Sequence, residues 1–224
     1  EPFPAEWTFL GGRGLSAKIL LNEVDPKCDP LGPGNKLVFA PGVLSGSAAP
    51  TSGRMSVGGK SPLTGGIKEA NSGGQAGQKL MRLGFRALVI EGQARDPTKR
   101  YLVDIRRNKC EIRECTSLKG MRTYAVSRHL AEECSTRAAF VICGPAGVLG
   151  LTGASIAFSD QGERHPSRHA ARGGLGAVMG SKGLKAIVVD DTGTRARLAR
   201  NAEGFKRISR QFSKDYRAGP QHLQ

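Results

Sequence analysis

Aromatic side chains are scarce, with 8 Phe, 3 Tyr and 1 Trp in 224 residues. So few rings leave little on which bases could stack, which weakens a reading as a single-stranded nucleic-acid binder. Apolar runs are short, as at Ala87–Ile90 and Ala186–Val189, whereas a membrane-spanning helix needs about 20 apolar residues. No charged-then-apolar secretory leader is read at the start. Cysteine is limited to positions 28, 110, 115, 134 and 143 and forms no Cys-x-x-Cys pair. That spacing fits neither a zinc site nor an iron–sulfur ligand set, and an odd count supports no disulfide framework. Ordinary thiols in a reducing cytosol are expected. Acidic residues are outnumbered, 19 Asp+Glu against 34 Lys+Arg, a net charge of +15. The nucleotide signatures are missing too. No Gly-x-x-x-x-Gly-Lys-Ser/Thr occurs, and Gly174-Leu175-Gly176-Ala177-Val178-Met179-Gly180 is one residue too long for Gly-x-Gly-x-x-Gly.

Glycine is plentiful: 31 residues, roughly twice ordinary usage. It lacks the three-residue period of collagen. The positive charge is uneven. Residues 1–60 carry 6 Lys/Arg and 5 Asp/Glu, and the remainder carries 28 and 14. A solvated basic face is the bland reading; nucleic acid, an acidic protein or a phosphorylated cofactor are the anionic partners that would use it.

Apolar spacing predicts a helix over Leu15–Val24, ended by Asp25-Pro26. Buried strands are expected at Lys36–Ala40, Arg86–Ile90, Ala138–Cys143 and Lys185–Val189, with a further strand at Ser155–Phe158. Tyr101–Ile105 and Lys109–Arg113 alternate as a hairpin around Arg107-Asn108. Helices are expected from near Gly74 to Leu83, over Thr123–Glu133 and over Gly174–Gly180. Ser45–Gly77 reads as a Gly/Ser/Thr/Pro-rich loop and Gln161–His169 as a polar loop. Beyond Thr192 the chain is basic and reads as one or two helices.

An internal echo organises these elements. Val38–Gly46 resembles Ile142–Gly150 with Pro41 on Pro145, and Leu83–Glu91 resembles Lys182–Asp190; the offsets are 104 and 99 residues. Each half reads strand, Pro/Gly turn, Gly-rich basic loop, small-residue helix, strand. The inference is a duplicated sheet domain whose two Gly-rich loops can meet around one ligand.

The first loop holds Gly53-Arg54, Lys60–Gly66 and Asn71-Ser72-Gly73-Gly74; the second holds Arg168-His169-Ala170-Ala171-Arg172-Gly173-Gly174. Consecutive glycines let backbone N–H groups face one ligand with no Cβ between. A helix N-terminus behind such a loop favours an anion. Arg54, Arg168 and Arg172 can bind phosphate with two parallel hydrogen bonds. Asn71 offers an amide and carbonyls, suited to polar ring edges or a hard cation.

Longer strings are more specific. Gly11-Gly-Arg-Gly-Leu15, Asn35-Lys-Leu-Val-Phe39, Lys60-Ser-Pro-Leu-Thr-Gly-Gly66, Ala70-Asn-Ser-Gly-Gly74, Ala87-Leu-Val-Ile-Glu-Gly92, Gly144-Pro-Ala-Gly147 and Arg172-Gly-Gly-Leu-Gly-Ala-Val-Met-Gly-Ser-Lys182 occur in this order. Together they resemble the N-terminal domain of the tungsten-dependent aldehyde ferredoxin oxidoreductase family, over roughly residues 8–192. The resemblance implies an α+β fold: a pseudo-duplicated domain of two mostly antiparallel β-sheets with short helices, forming the base for a bis-pterin cofactor. Tungsten (or molybdenum) would be held by two pyranopterins, with magnesium bridging their phosphates. The reaction implied is oxidation of an aldehyde to a carboxylic acid, with ferredoxin as electron acceptor.

Carried over by position, the cofactor-binding residues are Arg54, Asn71, Ser72, Gly73, Gly74, Arg168, His169, Ala170, Ala171, Arg172 and Gly173. Backbone carbonyls of Asn71 and His169 would reach the magnesium. His169 stands where the family commonly has Ala, and Ala171 where it has Gly. No catalytic side chain is assigned. Lys60 and Lys182 read as solvated or outer groups, His129 as a surface helix residue, and Glu91 as closing a turn. His165 and His169 carry no catalytic role without a pocket wall.

The family's three-cysteine run for a [4Fe–4S] cluster is not found here, nor are its later Asp-x-x-Gly-Leu pterin motifs. The expectation is a cofactor-base domain at 1–192 and, at 193–224, the start of a truncated helical domain. The chain would be a fragment or a subunit of a split enzyme, completed by missing C-terminal domains or a separate subunit. A small aldehyde, ferredoxin and a homo-oligomeric partner are implied, in an anaerobic cytoplasm and with no membrane. The alternatives are a basic nucleic-acid-binding module, which the aromatic shortage disfavours, and a non-catalytic remnant of the enzyme.

Overall fold

The computed structural model describes residues 4–219. The first sheet consists of β1 (Leu37–Pro41), β2 (Met55–Lys60), β3 (Ile67–Ser72) and β4 (Leu88–Ile90), in the order β3-β2-β1-β4, all antiparallel. The second consists of β5 (Tyr101–Arg106), β6 (Lys109–Glu114), β7 (Ala139–Cys143), β8 (Ile156–Phe158), β9 (Arg168–Ala170) and β10 (Leu184–Val189). Its order is β6-β5-β10-β7-β8-β9, and only β10 with β5 is parallel. The helices are α1 (Gly12–Glu23), α2 (Ala76–Arg82), α3 (Thr123–Glu133), the single turn α4 (Pro145–Val148), α5 (Leu175–Ser181) and α6 (Ala202–Ala218).

The two sheets carry the same unit twice. A 3-10 turn at Ala5–Trp7 leads into α1, β1, β2, β3, α2 and β4. A second at Thr116–Leu118 leads into α3, β7, β8, β9, α5 and β10, with α4 inserted after β7. The strand order β3-β2-β1-β4 becomes β9-β8-β7-β10. Register makes the match residue by residue. Ala70 faces Val57, which faces Phe39; Ala170 faces Ile156, which faces Cys143. Ala70-Asn71-Ser72-Gly73-Gly74 is therefore the counterpart of Ala170-Ala171-Arg172-Gly173-Gly174. Both strings leave an edge strand, turn through a glycine of positive φ (Gly74 at 102°, Gly174 at 69°) and enter a seven-residue helix. Only the second sheet carries an added hairpin, β5–β6, beside β10.

The apolar runs are explained by burial on both faces. Leu37 and Phe39 point into a core shared by the two sheets, together with Val141, Phe158, Ile187 and the inner faces of α2 and α5. Val38 and Ala40 point the other way, onto Leu15, Ile19 and Leu20 of α1. Phe140, Ile142 and Val188 likewise meet Val126 and Leu130 of α3. The layers run α1, first sheet, a middle holding α2 and α5, second sheet, α3.

Three expectations need correction. Ser45–Gly77 is not one long loop but contains the hairpin β2–β3, and all six residues of β2 are buried. Gly58 and Gly59 are poor strand formers in isolation; here α1 lies so close that a Cβ on Gly58 would meet Leu20 and Ser16 at 3.0 Å. Gln161–His169 ends in a strand, β9, whose pairing with β8 overrides its polar composition. Lys60 and Lys182 are buried rather than solvated. The Lys60 ammonium donates to the carbonyls of Pro26 and Cys28, and that of Lys182 to those of Asn35 (2.6 Å) and Gly92 (3.0 Å), so both tie down loops. Of the segment expected at 193–224, α6 is a single helix, and residues 220–224 lie outside the described residues.

A buried carboxylate joins the two units. Asp191, just past β10, receives Lys79 at 3.1 Å and Arg82 at 3.1 Å from α2, and Arg137 at 3.0 Å. Burial alone would raise the Asp191 carboxyl, but the hydrogen bond from Arg82 and the charge of Lys79 outweigh it and hold it below its ordinary value. Burial also pushes Lys79 down, against the attraction of Asp191. We expect Asp191→Asn to cost about 3 kcal/mol of unfolding free energy at pH 7, because three cations lose their counter-charge. The folded carboxyl titrates below the unfolded one, so this stabilisation is complete above about pH 5 and fades as pH falls through the folded value. Urea titrations should therefore separate the two proteins at pH 7 and bring them progressively closer as pH falls below the unfolded carboxyl value of about 3.9; equal stability at pH 7 would contradict the assignment.

Burial pushes the Lys182 ammonium down to about 8. Between that value and the unfolded value of about 10.4 the unfolded chain binds more protons, so this group's contribution to stability rises with pH. Compared with Lys182→Met, the wild-type protein should gain stability between about pH 8 and pH 10, a trend readable by chemical denaturation across that window.

Candidate functional site

The β2–β3 hairpin sets the first wall of the site. Antiparallel register places Asn71 opposite Ser56, and Ser72 opposite Met55, directly after Arg54. Arg54 Nε donates to Asn71 Oδ1, and Arg54 Nη2 to the Asn71 backbone carbonyl at 3.2 Å. The second wall is the turn from β9 into α5. It reaches the first because β3 and β9, each the edge of its sheet, lie side by side. Ser61, in the β2–β3 turn, donates its hydroxyl hydrogen to the Gly173 carbonyl at 2.7 Å. A Cβ on Gly173, whose φ is 73°, would fall 2.3 Å from Lys68 Cγ. A Cβ on Gly74 would fall 2.6 Å from the Ser159 carbonyl. Glycine is what lets the two backbones approach so closely.

Between these walls lies an open groove of about 530 Å3, lined by Arg13, Arg54, Lys68, Glu69, Ala70, Asn71 and Arg172. Four cations thus face one carboxylate. Arg13 pairs with Glu69 Oε2 at 3.1 Å, whereas Glu69 Oε1 is buried with no hydrogen-bond partner among the described residues. Such a groove attracts an anion bearing several oxygens, and its free carboxylate oxygen can accept from a donor on the same ligand. Among the described residues no three His, Cys, Asp or Glu side chains converge as a metal site.

A profile of the aldehyde ferredoxin oxidoreductase N-terminal domain matches residues 1–191. The chain belongs to the aldehyde ferredoxin oxidoreductase family. Tungsten-containing aldehyde ferredoxin oxidoreductases of Pyrococcus horikoshii and Pyrococcus furiosus are 44% and 43% identical over 190 and 195 residues, 84% and 87% of this chain. The chain spans 30% of the length of these curated relatives. An aliphatic sulfonate oxidoreductase WOR-like subunit of Pyrococcus furiosus is 30% identical, covering 92% of this chain and 34% of that protein. Among solved structures, the active-site complex BamBC of benzoyl coenzyme A reductase, in complex with 1,5-dienoyl-CoA, superposes with a TM-score of 0.77 at 34% identity. The match covers 84% of this chain and 28% of that one. The family's two mostly antiparallel sheets with short helices are the architecture found here.

Of the residues singled out in the sequence, Arg54, Asn71 and Arg172 meet in the groove. Gly73 is open, with nothing within 4 Å of an added Cβ. Ser72 is buried, and its hydroxyl donates to the Gly73 carbonyl at 3.2 Å. Gly173 is buried beneath Lys68. Arg168, His169, Ala170 and Ala171 do not line the groove. Arg168, His169 and Ala171 are exposed, Ala170 is buried, and His169 Nδ1 lies 3.2 Å from Ser155 Oγ. Helices α2 and α5 are too short to lend much dipole. Sequence reasoning missed Arg13, Lys68 and Glu69 as groove residues. The signal for the last two was strand β3 itself, hidden inside a stretch read as loop.

Gly73 and Gly173 are counterparts with different constraints. Gly173→Ala is expected to lose more than about 1 kcal/mol, since its φ is positive and Lys68 must move. Gly73→Ala should stay within about 0.5 kcal/mol of wild type. Thermal unfolding of both variants tests this contrast.

Proposed function

We propose that this chain forms the cofactor base of a tungsten (or molybdenum) bis-pterin oxidoreductase that oxidises aldehydes to carboxylic acids. The observation that carries the reading is the groove itself, where both halves of the duplication bring cations to one place. Pterin cofactors of this kind have two similar halves, each with a phosphate, and the duplicated Ala-x-x-Gly-Gly corners suit such a guest. When bound, the metal–pterin group supplies the two-electron and oxygen-transfer chemistry. Arg54 and Arg172 would hold phosphate oxygens through paired N–H donors, with Lys68 and Arg13 adding charge. Glu69 Oε1, lacking a donor among the described residues, suits a ring N–H. Asn71, Ser72, Gly73 and Gly74 on one side and Gly173 on the other would complete the proposed cradle, with Arg168, His169, Ala170 and Ala171 flanking it from outside the groove.

The carbonyls of Asn71 and His169 are our candidates for a bridging magnesium; Asn71 would exchange the Arg54 guanidinium for the cation. With no carboxylate cluster among the described residues, such an ion would draw its remaining ligands from phosphate and water. The substrate pocket, the [4Fe–4S] cluster and the ferredoxin contact belong, on this reading, to the rest of a longer protein or a partner subunit. Relatives named for aldehydes, for a sulfonate and for benzoyl coenzyme A match this same domain, which supports a shared cofactor base with substrate choice made elsewhere. The aldehyde assignment follows the 44% identical relatives. The family match ends at residue 191, and we read residues 193–224, with α6, as the opening of a helical domain. No helix of the described residues is long and apolar enough to cross a membrane; a cytoplasmic, anaerobic and homo-oligomeric enzyme is the setting we infer. The nucleic-acid alternative draws no support from the matches.

The complete protein, produced anaerobically with tungstate, should carry tungsten by elemental analysis and pterin by fluorescence after oxidation. Arg54→Ala and Arg172→Ala should each lower the tungsten-to-protein ratio at a given cofactor supply by roughly tenfold, the worth of a charge-assisted hydrogen-bond pair. The corresponding Lys variants should fall between, retaining charge without the fork. Complete protein holding neither tungsten nor pterin would overturn the reading.

A further inference from the structure

We propose that Ser61 is a positioning residue for the groove: its hydroxyl locks the Arg172–Gly174 corner of the second unit onto the β2–β3 hairpin of the first. It thereby fixes the gap between the Arg54 and Arg172 walls. The assignment rests on reading the groove as the cofactor seat, but the contact that carries it is visible in the fold alone.

Ser61 is fully buried. Its Oγ accepts from the backbone N–H groups of Leu63 (3.2 Å) and Thr64 (3.1 Å), which closes the hairpin turn. The turn is fixed further by Ser61 N–H to the Gly66 carbonyl at 2.9 Å and Gly65 N–H to the Ser61 carbonyl at 2.8 Å. A hydroxyl has one hydrogen to give, and that hydrogen goes to the Gly173 carbonyl at 2.7 Å, 112 residues away in sequence. The corner it holds is seated on both sides. An added Cβ on Gly173 would strike Lys68, and one on Gly174 would come within 3.1 Å of Pro62 Cγ. Arg172, adjacent to the clamped carbonyl, lines the groove, as do Arg54 and Lys68 from the hairpin. The serine in Lys60-Ser61-Pro62-Leu63-Thr64-Gly65 touches no groove space itself. Its hydroxyl acts through Gly173 on the position of Arg172.

Ser127 supplies a matched control. It is a buried serine on α3 whose hydroxyl donates to the Arg164 carbonyl at 2.6 Å, part of no groove wall. In the complete protein, Ser61→Ala and Ser127→Ala should lose similar thermal stability. Only Ser61→Ala should lower the tungsten-to-protein ratio, by roughly fivefold. It should also speed amide hydrogen exchange across 172–176, which Ser127→Ala should leave unchanged. The Ser61→Ala effect on tungsten should vanish in an Arg172→Ala background, since the two residues act in series. Ser61→Cys, a near-isostere with a weak donor, replaces the alanine variant should that fail to fold. Wild-type tungsten content and unchanged exchange in the Ser61 variant, or losses equal to those of Ser127→Ala, would overturn the proposal. Altered exchange in Ser61→Ala with no tungsten in wild-type protein would retain the clamp and reject the cofactor reading instead.

Discussion

Two sheets bury one face each against a single core, and their edge strands β3 and β9 are thereby set side by side. From that arrangement the rest of the site follows. Each edge strand ends in an Ala-x-x-Gly-Gly corner, and the corners are the places where the two backbones come close. Side chains at Gly74, Gly173 or Gly174 would collide with Ser159, Lys68 or Thr152, respectively. A fold that needs glycine there for packing obtains, at the same positions, bare backbone beside a groove. At these three positions glycine thus has a packing origin, and any ligand binding makes use of it.

Charge is divided by location. The groove gathers four cations around one carboxylate. Four lysines outside the groove are internal. Lys60 and Lys182 satisfy loop carbonyls, Lys185 is fully buried and donates to the Met121 carbonyl at 2.9 Å, and Lys79 meets Asp191. Part of the +15 balance is therefore structural, held inside by backbone acceptors, and is unavailable to an external partner. Buried cations are costly to desolvate, which is why each ammonium here finds carbonyl or carboxylate oxygens.

Strands buried on both faces were legible because their apolar runs are continuous: β1, β7 and β10 lie within a residue of expectation, and α3 coincides with it. The β5–β6 hairpin was legible from alternation around Arg107-Asn108. The hairpin β2–β3 was not, because Met-Ser-Val-Gly-Gly-Lys has neither alternation nor β-rich composition. What makes it a strand is the close approach of α1 over Gly58, a contact between residues about forty apart. Lys60 was misread for the same reason: a lysine in a polar string has no local mark of burial, and its two carbonyl partners come from the loop at Pro26 and Cys28.

The sequence by itself determined the duplicated order of elements, the two glycine corners and the family, since these are written in local strings and their repetition. Only the tertiary structure decided which charged residues share a space. Arg13, Lys68 and Glu69 join Arg54, Asn71 and Arg172, while Arg168 and His169 stay outside. The physical reason is that a groove between two edge strands depends on how two sheets pack across a common core. That packing is a long-range balance of burial, which no window of neighbouring residues records.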